Sequence, residues 1–240
     1  MTQPTAAFAP QRVARIAAVL FLFTILTGVF AQFFISDRLV MGNDAAATAT
    51  RILQQRSLHH WGFTIYMIEM ALQVAMTALF YLLLKPVNRS VALVGLCLNL
   101  LGCVIKTFGR LFYLAPSFIL RDTHYLGVFT PEQVQSLALL FLHLNDHAAA
   151  MALGFFGLGD LLQGWLILRS TFLPRALGAV SLLSGLGWMT FLSPTLGYRL
   201  FPIVALVGLL ASVALITWLL VFGVNVQRWN ERAMAAGTGS

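Results

Sequence analysis

The sequence predicts an all-α, polytopic membrane helix bundle with six spanning helices and both ends on the same side. Three observations carry that expectation. Of the 240 residues, 59% are hydrophobic and only 10% are charged, whereas a soluble domain carries about 25% charged residues. The apolar residues gather into runs close to the roughly 20 residues that a spanning helix needs. Those runs are apolar all round, whereas a soluble core helix shows one apolar face.

Taken in order, the expected spans are 16–35, 61–84, 91–114, 148–168, 177–196 and 201–224. Together they form a single membrane domain over residues 1–240. The first run resembles a secretory leader, because Val29 and Ala31 offer a small-residue cleavage pattern. Its apolar core is longer than the usual leader core, so it is read as a retained span. The third run is interrupted by Lys106 and Arg110, and the fourth by Asp160. The final Ala-Ala-Gly-Thr-Gly-Ser reads as a loose tail.

Orientation follows from the basic residues. One side holds Arg12, Arg15, Lys85, Arg89, Arg169, Arg175, Arg228 and Arg232, and the other Arg38, Arg51, Arg56, Arg121 and Arg199. The short basic loops 85–89 and 169–175 should therefore be cytoplasmic, which places both termini inside. The two long connections then lie outside. In 36–58, Asn43 or Asp44 is placed to cap a short amphipathic helix running to about Gln55. In 115–146, Thr130-Pro131-Glu132-Gln133 is a capping box with proline at the first helical position. A helix should start there and run into the fourth span, with a bend near Asn145.

Several function classes are disfavoured. The formal charge of +7 comes from scattered basic residues without a stripe or run, so no nucleic-acid partner is expected. Cys97 and Cys103 are six apart in one apolar run and point to different helix faces, so neither a disulfide between them nor a metal motif is expected. No phosphate loop, nucleophile elbow or haem-attachment motif is present.

Polar groups inside the spans are the functional candidates, because each is costly in hydrocarbon. Tyr66, Glu69, Gln73 and Thr77 recur at helical spacing on the second span. Glu69 lies about nine residues, roughly 14 Å, below that helix's outer end, and Asn99 on the third span is nearly level with it. Asp160 and Gln163 lie somewhat deeper. Asn99, Cys103, Lys106 and Arg110 share one face of the third span, where Lys106 and Arg110 can pair with Glu69 and Asp146 or snorkel to the outer interface. His143, Asp146 and His147 fall at i, i+3 and i+4, a weak metal-ligand spacing that suits a hydrogen-bonded surface cluster better. Gly157, Asp160 and Gly164 lie close to one face where another backbone can approach.

Three stretches together carry a family resemblance. They are Asp44-Ala45-Ala46-Ala47-Thr48-Ala49, then Leu83-Leu84-Lys85-Pro86-Val87-Asn88-Arg89, then Phe155-Phe156-Gly157-Leu158 leading through Gly164-Trp165-Leu166-Ile167 to Arg169-Ser170, completed by Leu173-Pro174-Arg175 and Leu177-Gly178. The chain resembles, over roughly residues 10 to 225, the bacterial membrane family named domain of unknown function 4386. The resemblance implies a compact multi-helix protein of the bacterial cytoplasmic membrane. It implies no substrate, cofactor or catalytic residue. Histidine is the residue the pattern leads one to expect where Asp160 stands, so the resemblance implies a polar group there without fixing its charge.

Three functional readings stay open. The first is a protein that binds a small amphipathic or lipid-like ligand in an outward-opening polar pocket between spans two, three and four. Glu69, Gln73, Asn99, Lys106, Arg110, His143, Asp146 and His147 would contact the ligand, and Trp61, Tyr66 and Phe112 would line the wall. The second is a membrane-embedded enzyme with Glu69 or Asp160 as its acid or base. The third is a structural subunit packed against partner proteins. Cofactor identity and oligomeric state are not legible.

Overall fold

The computed structural model describes residues 9–121 and 127–237. Among the described residues eight helices form: α1 (Pro10–Leu39), α2 (Ala45–Gln54), α3 (Arg56–Leu84), α4 (Arg89–Ile119), α5 (Pro131–Arg169), α6 (Arg175–Leu192), α7 (Pro194–Val221) and α8 (Val226–Gly237). By length and hydropathy, α1, α3, α4, α5, α6 and α7 can cross a membrane. Large side chains such as Phe23, Phe33, Val104, Phe108, Ile203 and Leu210 stand exposed on the bundle's outside. That is the surface a bilayer covers, and the chain is a multi-pass membrane protein.

The six long helices form a ring. Each packs on the next in the chain, α7 closes against α1, and contacts across the ring are few. The closing contact is fixed at one end by Gln11. Its amide donates to Phe222 O at 3.0 Å and accepts from the Val224 N–H at 2.9 Å. Gly223, in the left-handed region at φ +70°, ends α7 so that the chain can turn into this contact. The two ends of the described chain therefore lie on one face, termed the terminal face; α2 and the described residues that join α4 to α5 lie on the other, the loop face.

The local signals act as expected at several helix ends. Asp44 accepts from Ala47 N–H at 2.9 Å and starts α2. Thr130 and Gln133 form the reciprocal capping box, with Pro131 first in α5. α5 is one helix of 39 residues that starts at this box and runs through the fourth span, as expected. Several boundaries differ from expectation: α1 covers Pro10–Leu39 rather than 16–35, α3 starts at Arg56 rather than 61, and α4 ends at Ile119 rather than 114. α6 ends at Leu192 rather than 196, and α7 starts at Pro194. Proline at the first position of α7 sets that start, because its missing N–H costs nothing there. The expected loose tail is partly helical, since α8 runs through Gly237; residues 238–240 lie outside the described residues.

Glycines set the closest helix contact. A Cβ on Gly164 would lie 2.9 Å from Gly178 O, and one on Gly185 would lie 2.8 Å from Gly157 O. The two pairs repeat at a seven-residue spacing on both helices, so α5 and α6 meet backbone to backbone. At the terminal face, Trp229 of α8 is buried and its indole N–H donates to Leu83 O at 2.9 Å. Arg228 and Arg232 donate to Thr171 O and Arg169 O. α8 thus covers orphan carbonyls at the ends of α3 and α5, where cations also complement the helix dipole.

Candidate functional site

The ring leaves a cavity of about 340 Å³ along its axis, within the low end of the range, about 300–1,000 Å³, that holds small molecules. All six spanning helices line it. Its polar wall comes from Glu69, Gln73 and Thr77 of α3, Asn99 and Lys106 of α4, Asp160 and Gln163 of α5, and Ser212 of α7. Its apolar wall includes Phe21, Phe80, Phe156 and Trp188.

One ion pair spans the cavity wall. The Lys106 ammonium donates to Glu69 Oε1 at 2.6 Å, with the side chains 15% and 7% exposed. Gly28 of α1 makes room for this carboxylate, since a Cβ there would lie 2.8 Å from Glu69 Oε1. The second carboxylate oxygen, Oε2, is buried without a hydrogen-bond partner, as is Thr77 Oγ1. Asn99 is buried and donates back to Gly95 O at 3.0 Å, and Gly159 opposite leaves the space it fills. Asp160 is partly exposed, lines the cavity, and has no ion-pair partner among the described residues.

A second polar layer lies one helical turn toward the loop face. Arg110 is 4% exposed, sits 3.4 Å from the centre of the Tyr66 ring, and donates to Asn145 Oδ1 at 2.9 Å. Asn145 in turn donates to Asp146 Oδ1 at 3.0 Å. The Tyr66 hydroxyl donates to Gln32 Oε1 at 3.0 Å and lies 2.9 Å from the Ser36 hydroxyl. Ser36 ends a π-helical stretch of α1, Ala31–Ser36, whose wider turn sets this part of α1. Tyr113 stacks on His59 at 4.6 Å, and His59 Nδ1 is 2.8 Å from the Ser117 hydroxyl. Arg110 Nε, His59 Nε2 and the Tyr113 hydroxyl are buried without partners.

The structure therefore divides the sequence-derived candidates. Glu69, Gln73, Asn99 and Lys106 meet at the cavity, together with Asp160. Arg110 does not; it is locked in the layer toward the loop face, and Asn145 stands between it and Asp146. His143, Asp146 and His147 lie beside that layer and do not line the cavity. His147 turns its Nδ1 to His143 O at 2.8 Å, within its own helix. No three His, Cys, Asp or Glu side chains converge as metal ligands among the described residues. Trp61 points outward at 63% exposure, and Phe112 stacks on Phe141 rather than lining the cavity. On the loop-face side of the cavity stand the buried Tyr66, Arg110 and Tyr113. The cavity also draws on α1, α6 and α7, which the expectation of a site between three spans left out. In α1 the usable signal was Gly28, a small residue in an otherwise bulky run.

No curated protein matches the chain, and no solved structure matches it. The family described as a domain of unknown function (DUF4386) matches residues 16–223, and with that span covered the chain belongs to this family.

Proposed function

We propose that the axial cavity binds a small amphipathic, lipid-like ligand whose polar head carries a positive charge or several hydrogen-bond donors. The observation that carries this reading is the imbalance of the cavity wall. Two carboxylates, Glu69 and Asp160, face it with one cation, Lys106, and that cation is already bonded to Glu69. Glu69 Oε2 and Thr77 Oγ1 are further buried acceptors without partners. Buried polar groups in native proteins are nearly always satisfied, so a donor-bearing head is the complement this wall lacks. Phe21, Phe80, Phe156 and Trp188 offer the apolar part a surface. By the positive-inside rule the terminal face, with its basic loops, is cytoplasmic in a bacterial inner membrane.

The test is thermal unfolding of the purified protein in mild detergent with medium-chain alkylamines, alkanols and carboxylates of equal chain length. Amines at 100 times their Kd should stabilise by about 2.7 kcal/mol, a rise in Tm of roughly 5–10 °C for a chain of this size. Carboxylates should give no rise, and Asp160→Asn should remove most of the amine effect. Equal shifts with amines and carboxylates, or an amine shift unchanged in Asp160→Asn, would overturn the reading.

A further inference from the structure

The net charge of the chain is confined to one face. Of fifteen basic and eight acidic residues in the sequence, the terminal face holds eight basic ones, Arg12, Arg15, Lys85, Arg89, Arg169, Arg175, Arg228 and Arg232, and one acidic, Glu231. By sequence, seven of each remain elsewhere in the chain, where they cancel. The whole formal charge of +7 therefore stands at one membrane surface.

On that face lies a groove of about 700 Å³ between the α3–α4 turn and α8. Lys85, Asn88 and Arg89 form one wall, and Trp229 and Ala233 of α8 the other, with Tyr81 at the base. The groove is separate from the axial cavity and shares no lining residue with it. Three features of its chemistry agree. Lys85 and Arg89 place two cations four residues apart around the turn. Asn88 caps α4 by accepting from Val91 N–H at 3.0 Å, so the positive end of the α4 dipole opens at the groove. Trp229 is held there by its bond to Leu83 O and packs beneath α8. α8 itself carries exposed Val226 and Met234 beside Arg228 and Arg232, the mixed character of a helix lying in the headgroup layer.

We propose that this groove binds the phosphate of an anionic phospholipid from the leaflet that faces the chain ends. Lys85 and Arg89 take the phosphate, the α4 N-terminus adds its dipole, and the acyl chains run down the apolar outside of α3 and α4. Basic pockets at this level of a membrane protein are suited to anionic headgroups, each cation near such a surface contributing about 1 kcal/mol. The site is independent of the ligand proposed for the axial cavity.

The test is native mass spectrometry of the intact protein in detergent with phosphatidylglycerol or phosphatidylcholine of the same acyl chains. The anionic lipid should be retained as a discrete adduct at about thirtyfold higher abundance, since two cations at about 1 kcal/mol each give that order of preference. The double substitution Lys85→Gln, Arg89→Gln should abolish the preference, whereas Arg38→Gln, Arg51→Gln on the loop face should keep it. A photoreactive phosphatidylglycerol on the unaltered protein gives a readout that does not depend on the variants folding: its crosslinks should map to 81–89 and 226–237. Millimolar inorganic phosphate should fail to displace the adduct; displacement would assign the groove to free phosphate instead. Equal retention of the two lipids, a preference unchanged by the double substitution, or crosslinks confined to other segments would overturn the proposal.

Discussion

Removing either partner of the Glu69–Lys106 pair should cost far more than removing both. At 2.6 Å and with side chains 7% and 15% exposed, each charge relies on the other for the solvation that the interior does not provide. Glu69→Leu strands the ammonium and Lys106→Met strands the carboxylate. Breaking a buried pair typically costs about 3–5 kcal/mol. The lower end applies here, because Lys106 keeps some exposure to the cavity and its stem can shift its head toward it. Each single substitution should therefore cost about 3 kcal/mol, while the double replacement by apolar residues should cost about 1–2 kcal/mol. The coupling between the sites is then about 4 kcal/mol, and Glu69→Gln, which still accepts from Lys106, should cost about 1–2 kcal/mol. The assay is a double-mutant cycle read by reversible SDS-induced unfolding in mixed micelles. If the two single effects add to within about 0.5 kcal/mol, the pair is not an energetic unit, and the account of the cavity wall fails with it.

Three further outcomes follow from the packing. Gly185→Ala should destabilise by about 2 kcal/mol, because its Cβ would press on Gly157 O and Leu161 N of α5; Gly187→Ala, which meets only the Val204 side chain at 3.2 Å, should cost under about 1 kcal/mol, and equal losses in the same unfolding assay would refute the backbone-contact account. Arg110→Met should cost about 2–4 kcal/mol by leaving Asn145 Oδ1 buried and removing the cation from the Tyr66 ring; Arg110→Lys should restore little of it, because the planar fork is what fits. Asp44→Ala should loosen α2 by about 1 kcal/mol, seen as faster amide hydrogen exchange at residues 45–49 with α3 unaffected.

The spans and several helix ends were legible because their signals are local. Hydropathy accumulates over a window, so the apolar run of α1 or α7 is visible without any knowledge of its neighbours. The Asp44 cap and the Thr130–Gln133 box act within one turn, and both work as the sequence reads. Pro194 carried an equally local signal for the start of α7, obscured because the apolar run after it begins later. The site was only partly legible. Periodicity tells which residues share a helix face, as Glu69, Gln73 and Thr77 do, but not which way the face turns. Trp61 shows the difference: chemically suited to a pocket wall, it stands on the outside of the bundle. Arg110 and Lys106 share a face four residues apart, yet one turn of helix puts them in different layers. Ring closure was invisible for the same reason. It joins α7 to α1 across most of the chain, and no short-range pattern records it.

That closure has a consequence for how the protein assembles. Every spanning helix after the first packs on its immediate predecessor, so each can dock as it leaves the insertion machinery without waiting for distant sequence. Only α7 must find a helix made at the start of synthesis. Gln11, bonded to Phe222 and Val224, is the clasp of that final step. It draws on two backbone groups that exist in the right place only after α7 has ended at Gly223, so the clasp fastens last and the circle stays open until the chain is nearly complete.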